Sequence, residues 1–283
     1  MRFPPFFLFL QPKCIYIMKR IIPACIAALA IIISSCSKEE KPVSPVIKSY
    51  SRSLIQNGTV TVRHDIVPVY DPAGRISSVS STSHIYSTQE QALKENSSST
   101  SSYTYNEFDH TAVRTDRSEG ELDFFGAPTV TNLTFDEKWK LTSSFFELAD
   151  LKSTESYTYQ EDRVTSFVKG GTTYETTYTV KWENGDIVSI ADDSETITIS
   201  YLPDENPFKK GMDPILFDVT SDNYMYRMTG SHSAHLPSSY TTTTKTKSFT
   251  RKYDYKKDAD GRIIEITSQE EGDGSKYSVS IQY

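Results

Sequence analysis

Tyr70-Asp71-Pro72-Ala73-Gly74-Arg75-Ile76 and, near the other end of the chain, Asp258-Ala259-Asp260-Gly261-Arg262-Ile263 decide the fold. Both carry Asp-x-x-Gly-Arg-Ile. The Asp opens a type I turn, Pro72 presets φ at the next position, and the Gly takes the left-handed conformation that a G1 bulge requires. Each copy therefore closes a hairpin between an aromatic strand and an aliphatic one.

Weaker copies fill the interval. Tyr157-Thr158-Tyr159-Gln160-Glu161-Asp162-Arg163-Val164 keeps the aromatic strand and the Arg-aliphatic exit. Tyr178 to Ile187 carries Asn184-Gly185, the strongest short hairpin signal, and Leu133-Thr134-Phe135-Asp136 leading to Leu141 is a copy without glycine. The closing run, Tyr277 to Tyr283, alternates strictly. A two-residue loop at Asn184-Gly185 pairs Trp182 with Ile187 but leaves Val188 and Ile190 on the opposite face, and a one-residue slip reverses this.

The composition agrees: 18 Tyr and 14 Phe stand against 2 Trp, among many Ser and Thr. β-branched and aromatic residues suit a half-buried pleated surface. Helical periodicity is almost absent. Its best candidate, Gln89–Glu95, is short and polar and reads as a loop tip. The expected fold is all-β: an antiparallel meander of repeated hairpins curled into an open or closed barrel-like sheet. Its strands lack a lipid-facing apolar side. Tyr240 to Phe249, and Ile76 to Tyr86, are dominated by Ser and Thr, so the barrel is expected to face water rather than span a membrane.

The N-terminus reads differently. Met18-Lys19-Arg20 precedes an apolar stretch, Ile21 to Ile33, that ends in Ser34-Ser35-Cys36. The apolar run is shorter than the roughly 20 residues needed to span a bilayer, and its flanks are those of a secretory signal. Residues 1–17 read as an over-long start, 18–35 as the signal peptide, 36–48 as a tether stiffened by Pro42 and Pro45, and 49–283 as one β-repeat domain. Of three Cys, only Cys36 would outlast processing, so the domain can hold neither a disulfide nor a Cys-ligated metal. Removing Arg2, Lys13, Lys19 and Arg20 with the signal takes the net charge from -7 to -11. An acidic domain is not expected to bind nucleic acid.

The small-small-Cys ending resembles the bacterial lipobox, which implies lipidation of Cys36. The acidic stretch Ser37-Lys38-Glu39-Glu40-Lys41 resembles the export signal of surface lipoproteins in the Bacteroidota. The hairpin units resemble tyrosine-aspartate repeats of the Rhs type. Three segments more closely resemble a family of Bacteroidota lipoproteins whose domain has a porin-like fold: Tyr201 to Phe208, Ser233 to Tyr240, and Tyr253 to Ile266. That resemblance covers roughly Val67 to Tyr283. It implies an outer-membrane lipoprotein exposed on the cell surface, and it implies no activity.

Chemical motifs are sparse. His232 and His235 stand three apart in a loop-like stretch, and solvated loop histidines explain them better than a zinc site. Asp258-Ala259-Asp260-Gly261 and Glu270 to Gly274 are acidic, but neither continues as a calcium loop, and turn chemistry accounts for both. Glu175 and Asp218 are carboxylates that sequence alone cannot pair across a cleft. No nucleophile elbow, phosphate loop, zinc helix or thiol nucleophile is present. No cofactor, metal or catalytic residue is expected. Trp139, at the turn Asp136-Glu137-Lys138-Trp139-Lys140, is the better exposed aromatic and the candidate for stacking a ligand; Trp182 reads as core.

These observations point to a non-enzymatic, lipid-anchored envelope module that binds an extracellular glycan or an envelope protein. Two alternatives come from other classes: a carboxylate-based hydrolase, and a structural or assembly subunit of an outer-membrane complex. An open cleft with exposed aromatics would favour binding. Convergent carboxylates with a raised pKa would favour hydrolysis, and a closed, filled barrel would favour assembly.

Overall fold

The computed structural model describes residues 46–87, 93–119, 127–208, 229–272 and 274–283. Val46–Tyr283 is a compact unit of its own. Cys36, the signal and the tether as far as Pro45 lie outside the described residues, as do Gln89–Ala92 and Asp218.

Regular structure in the described residues is entirely β. The strands are β1 (Ser49–Gln56), β2 (Thr59–Tyr70), β3 (Ile76–Tyr86), β4 (Leu93–Asn106), β5 (Thr111–Glu119), β6 (Thr129–Phe135), β7 (Leu141–Leu148) and β8 (Leu151–Gln160). They continue as β9 (Arg163–Gly171), β10 (Glu175–Glu183), β11 (Asp186–Ala191), β12 (Glu195–Glu205), β13 (His235–Thr244), β14 (Ser248–Lys257), β15 (Ile263–Glu270) and β16 (Ser275–Gln282). Each pairs antiparallel with its neighbours in sequence, and β16 pairs with β1, so the meander closes into a barrel. Closure gives every described strand a partner on both sides. Ile47, at the entry to β1, is only 5% exposed, and the Lys48 N–H donates to the Gln282 carbonyl at 2.9 Å. The last residues of the expected tether thus already belong to the barrel.

The Asp-x-x-Gly-Arg-Ile signature works as its chemistry predicts. Gly74 and Gly261 both sit at φ 80°, inside the left-handed region. The Asp71 carboxylate accepts from the Arg75 N–H and the Arg75 guanidinium, each at 2.8 Å, and Asp258 holds Arg262 in the same way. The glycine-free copy reproduces the backbone pattern: the Asp136 N–H donates to the Lys140 carbonyl, and the Trp139 N–H donates to Asp136. Trp139 therefore occupies the glycine position at φ 60°, a strained setting for a bulky side chain.

A bulge follows most of these turns and removes the register ambiguity at Asn184-Gly185. Trp182 pairs with Ile187, but Lys181 pairs with Ser189, so one extra residue is inserted and Ile190 returns to the same face as Ile187. Ile76 with Val79, Val164 with Phe167, and Ile263 with Ile266 repeat this three-residue spacing, and all are buried. A spacing that breaks strict alternation in sequence is thus the mark of the bulge.

The turns of these hairpins lie at one end of the barrel, the base, together with Asn206–Phe208, Thr229–Ala234, and the start of β1 and end of β16, where Ser49 meets Gln282. The opposite end is the rim. Inward side chains at the base form the core, with Leu141 and Val164 at 0% exposure and Leu133 and Leu236 at 1%. A second device repeats around this end. Tyr105, Tyr159, Tyr201, Tyr255 and Tyr283 each donate a phenolic hydrogen bond to the carbonyl of Ile76, Leu141, Ile187, Pro237 and Ile263 respectively, at 2.6 to 2.9 Å. Trp182 does the same through Nε1 to Val164, at 2.7 Å. Each aromatic thereby buries its ring while its polar tip satisfies a backbone carbonyl, and it ties one repeat to the preceding one.

Candidate functional site

Three regions of the barrel carry organised polar groups. At the base, the segment Thr229–His235 is pinned beneath the hairpins. Ser231, 2% exposed, accepts from the Val164 N–H at 3.0 Å, and Ser233 accepts from the Ile187 N–H at 3.1 Å. The Thr229 carbonyl receives Tyr159, and the Ala234 N–H donates to Gly185. Asn206 closes the other side, accepting from the Phe208 N–H and donating to the Ser233 carbonyl. Backbone groups at hairpin ends, which would otherwise be orphaned in an apolar layer, are satisfied by this segment.

This segment contains the histidine pair considered for zinc. His235 is held by Asp186, whose carboxylate accepts the His235 N–H at 2.9 Å and meets Nδ1 at 2.8 Å. Among the described residues no three His, Cys, Asp or Glu side chains are grouped to hold a metal. Asp258 and Asp260 serve the turn, and Asp192 accepts from the Ser194 and Glu195 N–H groups. Glu175 lies exposed at the start of β10.

Trp139 is partly buried against the core. Its ring meets Tyr105 edge-on at 5.7 Å, Phe135 at 5.4 Å and His110 at 5.1 Å, and the Arg75 guanidinium lies over it at 4.5 Å. Arg75 also covers Tyr105, at 4.3 Å, and pairs with Asp71 and Glu107. Burial raises the Tyr105 pKa well above the ordinary phenol value, so its hydroxyl remains a donor. Trp182 is likewise packed against the core.

Above the apolar layers the inner wall becomes charged. Arg114 pairs with Asp116 at 2.8 Å, Lys169 with Glu155 at 3.6 Å, and Arg251 with Glu270 at 3.5 Å. Arg52 and Arg251 lie over Tyr277, at 4.9 and 4.6 Å. His64 bonds across to Ser83, and burial, helped by the Arg52 charge, lowers its pKa. Three of these four cations are thus matched by carboxylates.

The outer wall is a different surface. Its alternate positions are hydroxyl-bearing over most strands: Ser78, Ser80 and Thr82 on β3, Ser98, Thr100 and Ser102 on β4, Thr196 and Thr198 on β12, and Thr241 and Thr243 on β13. Register aligns them in rows, Ser78–Ser102–Thr115, Ser80–Thr100–Arg117 and Thr82–Ser98–Glu119. A groove of about 520 Å³ runs over this part of the wall, lined by Ser98, Ser99, Thr100, Ser102, Thr115, Arg117 and Glu119. Its volume lies in the range of ligand sites. Beside it Val113, Val130 and Phe145 are 40 to 44% exposed, which makes this the apolar corner of a hydroxylated wall. Sequence reasoning passed over the groove because a run such as Ser97 to Ser102 carries no motif. Only the register across three strands assembles it.

The comparison with solved structures bears on the barrel itself. A porin-like protein from Bacteroides uniformis ATCC 8492, known from its crystal structure, aligns with a TM-score of 0.64 at 16% identity, over 84% of this chain and 98% of its own. The fold is that of a porin-like barrel. A second porin-like protein, from Bacteroides vulgatus ATCC 8482, aligns over the same shares at 9% identity with a TM-score of 0.31. No family model matches the chain, and no curated protein matches it. At 16% identity the likeness to the Bacteroides uniformis protein describes fold alone.

Proposed function

We propose that this protein is a lipid-anchored module of the bacterial cell envelope, held through Cys36 at the outer membrane and displayed on the cell surface, where its barrel faces water and binds a ligand. The polarity of the wall carries this reading. A membrane barrel turns an apolar band some 25 Å tall toward lipid and keeps polar groups inside. Here the outward positions are mostly Ser, Thr and charged residues, interrupted by Val67, Val69, Val113, Val130 and Phe145, and the inward positions at the base are buried Leu, Ile, Val and Tyr. A barrel so built needs a separate anchor, and the lipobox-like sequence would supply it. The porin-like neighbour from Bacteroides uniformis supports an envelope setting.

A glycan is the ligand to test first, because a hydroxyl-rich groove beside exposed apolar side chains suits a molecule with polar edges and C–H faces. The part of the Trp139 ring left uncovered by Arg75, Tyr105 and His110 is a second stacking surface, and loss of a glycan-induced fluorescence change in Trp139→Phe tests it. A subunit role in an outer-membrane complex is the second reading, favoured by the closed barrel and its filled base. The hydrolase reading finds less support. Asp65, Asp71, Asp162, Asp192, Asp204 and Asp258 all have lowered pKa values, the reverse of what a general acid needs.

The experiment is fractionation with protease shaving of intact cells. The wild-type protein is expected in the outer membrane and sensitive to added protease, and Cys36→Ser is expected to leave the membrane fraction. A Cys36→Ser protein that stays acylated and membrane-bound would sink the reading.

A further inference from the structure

The groove on the outer wall of β4 and β5 has a composition that narrows its ligand. We propose, building on the glycan-binding role given to this barrel, that it is a binding site for a neutral linear glycan lying across the strands, with one sugar unit per strand and with Val113, Val130 and Phe145 flanking it in the neighbouring rows.

Four observations carry this. First, five hydroxyl-bearing residues, one guanidinium and one carboxylate line the groove, so it offers donors and acceptors in close alternation. Sugar hydroxyls are themselves both donors and acceptors, and each can be matched without stranding a buried charge. Second, Arg117 and Glu119 stand two apart on one face of β5, and among the described residues neither has an ion-pair partner. Their charges cancel over the site as a whole. A ligand of one strong charge would gain from one of them and be repelled by the other, whereas vicinal hydroxyls can engage both. The net charge of -7 on the chain also disfavours polyanions at longer range.

Third, the hydroxyl rows repeat with the strand spacing of ~4.8 Å, close to the length of one pyranose unit in a linear chain. A glycan crossing β3, β4 and β5 would therefore meet Ser80, Thr100 and Arg117 in one row, or Thr82, Ser98 and Glu119 in the next. Fourth, apolar ground adjoins these rows, one and two rows from Arg117 toward the base. Thr115 pairs with Val130, and Val113 pairs with Asn132, which pairs with Phe145. Phe145 thus lies two strands, about 10 Å, beyond Val113, and it is 40% exposed. Exposed apolar side chains next to a polar groove suit the C–H faces of sugar rings, and nothing comparable is offered to a phosphate or a metal ion.

The test is isothermal titration of the full chain, purified in detergent, with cellohexaose and mannohexaose as neutral probes and hexagalacturonate as an acidic probe of equal length. Wild-type protein is expected to bind at least one neutral hexasaccharide at least tenfold more tightly than hexagalacturonate. Arg117→Ala and Glu119→Gln should each weaken that binding about tenfold, and Phe145→Ala about fivefold, with melting temperatures unchanged because all three side chains are outside the core. Equal or tighter binding of hexagalacturonate would overturn the neutral-ligand assignment. Neutral binding that persists undiminished in Arg117→Ala and Glu119→Gln would overturn the groove while leaving the glycan reading intact. Failure of wild-type protein to bind any of the three would overturn both.

Discussion

The two sides of the barrel wall obey opposite rules. On the inside, strands present Ile, Val, Leu and Tyr near the base and mutually paired charges above them; on the outside the same strands present Ser, Thr, Lys and Asp. Strand number and closure alone do not decide whether a barrel suits lipid or water. Alternation decides it, because a shift of one residue exchanges the two faces. A porin-like path of the chain is here combined with an outer wall rich in hydroxyl and charged side chains.

That contrast can be broken most forcefully from within. Leu141 is fully buried among the base residues, and Leu141→Ala should cost about 2–5 kcal/mol in urea unfolding. Thr100→Ala on the outer wall should change stability by no more than about 0.5 kcal/mol. Comparable losses at both positions would mean that the faces are misassigned. Next in size is Ser231→Ala, which leaves the buried Val164 N–H without its acceptor and should cost about 1–3 kcal/mol. An unchanged midpoint would show that Thr229–His235 does not seal the base.

Tyr159→Phe removes one hydroxyl from the ring of aromatic ties, that to the Leu141 carbonyl at 2.6 Å, and should cost about 1 kcal/mol. Far-ultraviolet circular dichroism against temperature would measure it. The smallest effect concerns pH. Burial pushes the Asp71 carboxyl up, but the Arg75 N–H, guanidinium and charge together with the Ala73 N–H outweigh it and hold the pKa below the usual carboxylate value. A depressed folded-state pKa contributes stability that is present above the unfolded value, ~3.9, and is lost as pH falls through the folded value. Urea midpoints taken from pH 7 to pH 3 should therefore fall less steeply for Asp71→Asn than for wild type below about pH 4. Parallel curves would contradict the role given to this turn.

Much of the barrel was legible in the sequence because its signals are local. Asp71 to Ile76 and Asp258 to Ile263 specify a turn and its bulge within six residues, and the alternation of Tyr277 to Tyr283 specifies a strand on its own. Closure was not legible, because the pairing of Ser49–Gln56 with Ser275–Gln282 joins segments more than two hundred residues apart. The spacing of Ile187 and Ile190 looked like conflicting register until the bulge explained it. Gln89–Glu95 reads in sequence as a loop tip, yet β4 already begins at Leu93, where side-chain propensity yields to pairing with β3. The groove was invisible for a related reason: Ser98, Thr115 and Arg117 acquire meaning only when register sets them side by side, and serines carry no spacing signal of their own.

The most direct measurement of the central claim, that the outer wall faces water, is the behaviour of the Cys36→Ser chain in buffer without detergent. Released from its anchor, the protein should be recovered folded and monodisperse, with β circular dichroism and a cooperative melting transition. A barrel that folds only in micelles or bilayers, and aggregates without them, would contradict the account.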